Sequence, residues 1–300
     1  MQQFVKAIEI WVPATHGMRL ELGSAYYGNL KDFENASEAM SFDFDQGLPG
    51  KTWAGEQAIV LTDLDNSYFQ RAAPAREAGI FCGVSLPVFC GEVLQAVVVL
   101  FCGGGKEAVG AMEVWQNVRG SDNELKLADG YYGELERFEW VSRRLSIMRG
   151  RGLPGSAWER GLPVVIDDLS RSNTFLRARN AAQAGITTGL AIPFNHMNSD
   201  VHILTLLSAK GSPIARRFEI WMRDEQKQVL RFDSGHCSAA TDLAQHYAHT
   251  EIRKGEGPIG EAWLTGRPLV ANGAHEDSDA VIVLPVFNGC HLNALVALAL

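Results

Sequence analysis

Apolar residues along this chain come in short stretches broken by glycine, proline and polar turns, and the same order of stretches recurs. Ala7–Val12 and Leu20–Leu22, with Thr15-His16-Gly17 between them, predict two strands joined by a turn. Gly47-Leu48-Pro49-Gly50 then predicts a helix start. Proline fixes φ and lacks the donor that a first helical turn leaves unpaired, while the glycines permit a tight entry. This short helix carries a tryptophan and ends near Gly55, with Gly161 and Gly266 as the matching stops further on. A strand follows (Ala58–Thr62, later Pro163–Ile166 and Pro268–Ala271), then an alanine-rich helix for which Asp65 or Asn66, and Ser170 or Ser172, are the expected caps. Two adjacent strands close each unit, turning at Cys90-Gly91, at Met197–Asp200 and at Asn288-Gly289, the last a strong hairpin signal. The closing strands Leu94–Cys102, Val201–Leu207 and Leu292–Leu300 are apolar almost throughout.

The units are copies of one another. GLPGKTW begins at Gly47, GLPGSAW at Gly152 and GPIGEAW at Gly257, each 105 residues after the last. Glu9-Ile10-Trp11, Glu113-Val114-Trp115 and Glu219-Ile220-Trp221 move with them, as do the apolar-proline steps at Leu86-Pro87, Ile192-Pro193 and Leu284-Pro285. Copies 1 and 2 also share a block running from Thr62-Asp63-Leu64 or Asp167-Asp168-Leu169 through the Phe69 or Phe175 helix to Gly79-Ile80 or Gly185-Ile186. The motif tryptophan stands 34 residues before the proline in copy 1 and 35 in copy 2, but 22 in copy 3, so copy 3 lacks one short helix. The pattern predicts an α+β chain of three tandem domains, each an antiparallel sheet with short helices, over residues 1–105, 106–212 and 213–300. Gly103–Gly110 and Lys210–Arg216 are too short for long linking helices, which implies a compact pseudo-threefold or linear array.

Three hundred residues suit two or three domains, and 46% hydrophobic with 21% charged residues is an ordinary globular balance. No apolar run nears the ~18–20 residues of a membrane span, and no signal peptide is visible, so a cytoplasmic protein is expected. The net charge of −8 disfavours nucleic acid, since no basic patch offsets it. Five irregularly spaced cysteines read as free thiols.

The order GLPGxxW, a strand ending in Asp-Leu, FxRAxxAxxAGI, [LI]P and a β-hairpin resembles GAF domains, such as those of bacterial sensors and plant nitrate-response regulators. The resemblance covers nearly all of copies 1 and 2 and most of copy 3. It implies a ligand cavity between the sheet and the short helices, in a sensory or regulatory protein, without naming a ligand or cofactor.

Candidate residues follow from that frame. Trp53, Trp158 and Trp263 recur in all copies, including the shortened one, which favours core packing over stacking on a ligand. Asp63, Phe69 and Arg71, with Asp168, Phe175 and Arg177, either brace the fold or wall a pocket in which the arginine clamps an anionic group. Copy 2 adds the hydroxyls of Thr187 and Thr188 where copy 1 has Phe81-Cys82, so the working pocket is expected in copy 2, with Trp158 on its wall. Gly50-Lys51-Thr52 fails as a phosphate loop because Asp45 stands where a glycine is required. His236, Cys237, His246, His249, His275, Cys290 and His291 are scattered without a CxxC or HExxH, and no metal is expected. The preferred reading is a non-catalytic regulatory protein that binds a small molecule and acts through a protein partner or a homo-oligomer. The alternative is a redox enzyme of the free methionine sulfoxide reductase type with Cys82 or Cys90 as nucleophile.

Overall fold

The computed structural model describes residues 4–103, 108–118, 121, 123–195, 201–275 and 278–300. The turn expected at Met197–Asp200 and residues 104–107 of the first connector lie outside them.

The first copy runs β1 (Val5–Pro13), β2 (Arg19–Tyr26), α1 (Lys31–Glu38), β3 (Ser41–Asp43), α2 (Gly47–Gly55), β4 (Ile59–Leu61), α3 (Ala72–Glu77), β5 (Ile80–Cys90) and β6 (Val93–Gly103). The second repeats this order as β7 (Gly110–Asn117), β8 (Glu124–Tyr131), α4 (Glu136–Ser142), β9 (Ser146–Met148), α5 (Gly152–Arg160), β10 (Val164–Ile166), α6 (Ala178–Ala184), β11 (Ile186–Asn195) and β12 (Val201–Ala209). The third consists of β13 (Arg217–Asp224), β14 (Val229–Cys237), α7 (Leu243–His246), β15 (Glu251–Ile252), α8 (Gly257–Thr265), β16 (Leu269–His275), β17 (Ser278–Asn288) and β18 (His291–Ala299). Among the described residues it has no counterpart of α3 or α6, and β16 leads straight into β17, as the shortened spacing predicts.

Each copy folds into a six-stranded antiparallel sheet of one order: β3-β2-β1-β6-β5-β4, β9-β8-β7-β12-β11-β10 and β15-β14-β13-β18-β17-β16. The chain is therefore α+β, with three repeats of one sheet. Even the irregularities repeat, since a register shift falls just before Trp11, Trp115 and Trp221 in the pairing of the first two strands.

One expectation needs correction. The alanine-rich helices begin at Ala72 and Ala178, several residues later than Asp65 or Ser170 would cap them, and neither has a side-chain cap. Asp63 and Ser172 accept backbone N–H groups of the loop before the helix instead, while the chain turns Phe69 and Phe175 into the core. Trp53 and Trp158, half-buried, pack against their domain cores, Trp263 is buried in its own, and Trp11, Trp115 and Trp221 are wholly buried.

The closing strands are apolar almost throughout because both their faces are covered. On β6, Ala96, Val98, Leu100 and Cys102 enter a core shared by all three domains, while Val97, Val99 and Phe101 enter a core roofed by the first domain's helices. β12 and β18 divide the same way, with Leu204 and Leu206, or Val296 and Leu298, in the shared core. Each such side chain taken from water contributes about 1.5–3 kcal/mol before conformational entropy is charged against it. The domains close into a ring: β4 meets β8, β10 meets β14 and β16 meets β2. These are head-to-tail contacts whose rotation closes after three units within one chain.

Cys102 lies in this shared core with its thiol 3.5 Å from the Met112 sulfur. Cys102→Ser should cost about 1–2 kcal/mol in chemical denaturation, because the new hydroxyl meets thioether and hydrocarbon in place of a strong partner.

Candidate functional site

The space between each sheet and its helices is occupied by the chain itself. In the first domain Glu9 is fully buried and accepts from Trp11 Nε1 (2.8 Å), Tyr27 Oη (3.0 Å) and both terminal nitrogens of Arg71, which also donates to Ser37. The second domain repeats this with Glu113, Trp115, Tyr132, Arg177 and Ser142, and Thr205 adds a fourth donor to Glu113 at 2.9 Å. Aromatic rings enclose both guanidinium groups, with Phe33 at 5.0 Å from Arg71 and Phe138 at 4.6 Å from Arg177. Burial, and then the Glu113 charge, push the Tyr132 phenol far above its ordinary range, so it stays a donor. The third domain keeps the Trp221-to-Glu219 hydrogen bond at 2.9 Å and supplies the tyrosine and arginine from other positions. Tyr247 donates to Glu219 at 2.8 Å and Arg217 ion-pairs with it, although the Arg217 Nε lacks hydrogen-bond alignment.

Open space remains between α4 and α6 of the second domain, about 430 Å³ lined by Leu135, Phe138 and Gln183, and more lies between domains. A cleft of about 680 Å³ separates the second domain from the third, lined by Asp167, Asp168, Thr187 and Thr188 on one side and by Phe232, His236, Cys237 and Asp242 on the other. Across it, His236 Nδ1 lies 3.1 Å from Asp167 Oδ1 and His236 Nε2 lies 3.3 Å from Thr188 Oγ1. Thr188 Oγ1 also lies 3.2 Å from the Asp167 carbonyl oxygen. Thr188 Oγ1 has one proton, so it can donate to the Asp167 carbonyl or to His236 Nε2 but not to both.

The three joints of the ring use equivalent positions differently. Tyr26, Tyr131 and His236 share one register, opposite Ile8, Met112 and Phe218. Counting back from the shared proline, Cys82, Thr188 and Ala280 share another. The first joint therefore sets Tyr131 beside Cys82, and the third buries both Tyr26 and Ala280 in the shared core. Between second and third domains these positions hold a polar pair, Thr188 and His236, 3.3 Å apart, and the smaller imidazole leaves the cleft open. A pit where Pro87, Pro193 and Pro285 meet Phe89, Phe194 and Phe287, with Glu56, Gln57 and His202 also on its wall, has room for about 20 Å³, one water at most.

No protein-family profile matches the chain, and no curated protein does. Solved structures do. The free methionine-R-sulfoxide reductase of Neisseria meningitidis, in complex with its substrate, is 14% identical with a TM-score of 0.27, over 33% of this chain and 52% of that one. The GAF domain of A. aeolicus NLH2 is 20% identical with a TM-score of 0.27, over 34% and 60%. An NreA protein of Staphylococcus aureus, mutated in its nitrate-binding site, is 18% identical with a TM-score of 0.28, over 36% and 81%. Each match is about the length of one repeat, and the chain spans half to two thirds of the first two structures' length. The three sheets are tandem copies of one antiparallel unit, and these repeat-length matches include GAF-domain structures.

Within these repeated domains the residues expected to form one pocket divide into two groups. Phe175 and Arg177 are buried with the Glu113 network, Arg177 at 2% exposure, and Phe69 and Arg71 sit alike in the first domain. Trp158 lies at the edge of the same core, with Arg149 over its ring at 5.6 Å. Asp168 makes no contact with Arg177; it is exposed and accepts from Ser170 and Arg171, which together with Ser170's hydroxyl hold its carboxyl below the usual range. Asp63 behaves likewise with Asn66. Asp168, Thr187 and Thr188 line the interdomain cleft. Cys82 is buried in the shared core, and burial pushes its thiol well up; Cys90 lies at the tip of a hairpin. Lys51 pairs with Asp45, and Thr52 donates to Ser85. His236 was available to sequence reasoning, because Tyr26-Tyr27, Tyr131-Tyr132 and His236-Cys237 are again 105 residues apart. Among the described residues no group of three His, Cys, Asp or Glu is placed to hold a metal, and no helix is long and apolar enough to cross a membrane.

Proposed function

We propose that this protein is a non-catalytic regulatory module that binds a small polar molecule between its second and third GAF-like domains and relays occupancy by changing how those domains meet. The carrying observation is the Asp167–His236–Thr188 arrangement in a cleft large enough for a metabolite, where the other joints are packed with tyrosine. Asp167, Asp168, Asp233 and Asp242 outnumber Lys210 around the opening, which favours an amine- or hydroxyl-bearing ligand over an anion. The sheet-and-helix cavities support this reading by being filled, since a ligand there would have to displace a buried ion pair. The non-catalytic part is supported by Cys82, whose thiol is sealed in the shared core.

His236→Tyr tests the proposal, because it installs the residue type that closes the other two joints. Thermal melts of the full chain would be run against neutral and cationic amines and polyols, with small anions in parallel. A ligand at a hundred times its Kd stabilises the native state by about 2.7 kcal/mol. The wild type should gain that stabilisation, and His236→Tyr should lose it while melting at or above the wild-type temperature without ligand. Thr188→Val should weaken binding about tenfold through loss of one hydrogen bond. A ligand that stabilises wild type and His236→Tyr equally would refute the cleft. Turnover of methionine sulfoxide, lost on replacing Cys82 or Cys90, would refute the non-catalytic reading.

A further inference from the structure

Cys90 ends β5 and Cys290 sits in the turn between β17 and β18, 200 residues later in the chain. The ring brings these two hairpins together at the end of the molecule where the proline steps converge. Gly91 N–H donates to the Gly289 carbonyl at 2.9 Å, and the Cys90 thiol reaches the Cys290 carbonyl at 3.8 Å. A methyl group added at Gly91 would lie 2.6 Å from Cys290 Sγ, so that sulfur folds back over the first hairpin. Cys290 is exposed and Cys90 is half-buried, whereas Cys82 and Cys102 are sealed in the core.

We propose that Cys90 and Cys290 form a reversible disulfide that fastens the first domain to the third when the protein meets a peroxide. The exposed Cys290 sulfur attacks one peroxide oxygen; the O–O bond breaks, and Cys290 becomes a sulfenic acid as the leaving oxygen departs as water. The Cys90 sulfur then displaces the sulfenic oxygen: the S–S bond forms, the S–O bond breaks, and the second oxygen leaves as water with the thiol proton. Two thiols lose two electrons in all, and one peroxide is reduced to two waters. Burial, followed by the hydrogen bond and charge of Cys290, raises the Cys90 thiol, which fits Cys90 as the resolving rather than the attacking partner. The crosslink would close the ring covalently, independently of any ligand in the cleft between the second and third domains.

The test treats the full chain with one equivalent of hydrogen peroxide, blocks remaining thiols, and maps the peptides by mass spectrometry. The expected product is monomeric, two hydrogens lighter, with Cys90 and Cys290 peptides joined and Cys82 and Cys102 blocked only after unfolding. It should run faster on a non-reducing gel and melt roughly 5 °C higher, with both changes reversed by a dithiol reductant. Cys290→Ser, at an exposed turn, should melt like the reduced wild type and show none of these changes, and Cys90→Ser should match it. Cys290 driven to sulfinic acid while Cys90 still accepts the blocking reagent would overturn the proposal, as would a dimer linked through Cys290.

Discussion

Arg177→Ala should destabilise the protein by about 3–5 kcal/mol, because it leaves the Glu113 carboxylate buried with its main counter-charge gone. Urea titrations followed by tryptophan fluorescence would measure it, since Trp115 donates directly to that carboxylate. The double variant Glu113→Gln/Arg177→Met should recover most of the loss, as an amide still accepts from Trp115 and Thr205 while methionine fills the arginine's volume. pH gives a second readout. Burial alone would push the Glu113 carboxyl up, but attraction and hydrogen bonds from Arg177, with those of Trp115 and Thr205, outweigh it and leave the carboxyl below its ordinary value. A depressed folded value means that the stabilisation is complete above the unfolded carboxylate's pKa of about 4.3, and is lost as pH falls through the lower folded value. The double variant should therefore lose less stability than wild type on acidification below about pH 4. A loss under about 1 kcal/mol in Arg177→Ala would mean that the ion pair is not what holds this core.

That arginine marks where sequence reading stops. Both halves of the pair were visible, Glu113 in a repeated Glu-aliphatic-Trp step and Arg177 in a repeated Phe-x-Arg-Ala block. They are 64 residues apart, and nothing local says that the sheet folds one under the other. An arginine among aromatic residues then reads equally well as a ligand clamp. Repeats, strand order and the shortened third copy were legible because they rest on spacing and alternation, which survive without contacts. Helix α1 was not, because only Phe33 and Ser37 of its eight residues are buried, too few to draw a periodic stripe. Similarly, Tyr247 replaces the tyrosine that copy 3 lost at Cys237, a substitution in space that no alignment of the repeats displays.

Pseudo-symmetry also explains why a site would arise at one joint alone. A ring of three identical subunits must change every joint at once, whereas three fused copies can alter one. The first and third joints keep the Tyr131 and Tyr26 packing and hold the ring together, with Ser24 accepting the Val270 N–H at 2.9 Å and Asn272 donating to the Ala25 carbonyl at 3.2 Å. On the proposed reading, that leaves the His236 joint as the one that can bind and move.

Gly155→Ala should cost about 3 kcal/mol, although alanine is the better helix former. Gly155 is the last glycine of the repeated motif, and a Cβ there would lie 2.3 Å from the Met148 carbonyl oxygen. Its counterparts are as tight: Gly50 would meet the Asp43 carbonyl at 2.2 Å and Gly260 the Arg253 carbonyl at 2.3 Å. In each copy the helix presses its first turn onto the short edge strand, and the backbone N–H of Gly150, Asp45 or Gly255 donates to the carbonyl of the same motif glycine. The obstructing atom is backbone, so no side-chain rotation relieves it, and either strand or helix must shift. Gly161→Ala is the matched control. Gly161 ends the same helix at φ +62° with nothing within 4 Å of an added Cβ, so alanine there meets only the left-handed strain of about 1 kcal/mol. Urea midpoints of the two variants separate close approach from backbone conformation. If Gly155→Ala unfolds at the same denaturant concentration as Gly161→Ala, the motif serves only to turn the chain, and its last glycine is not needed for packing.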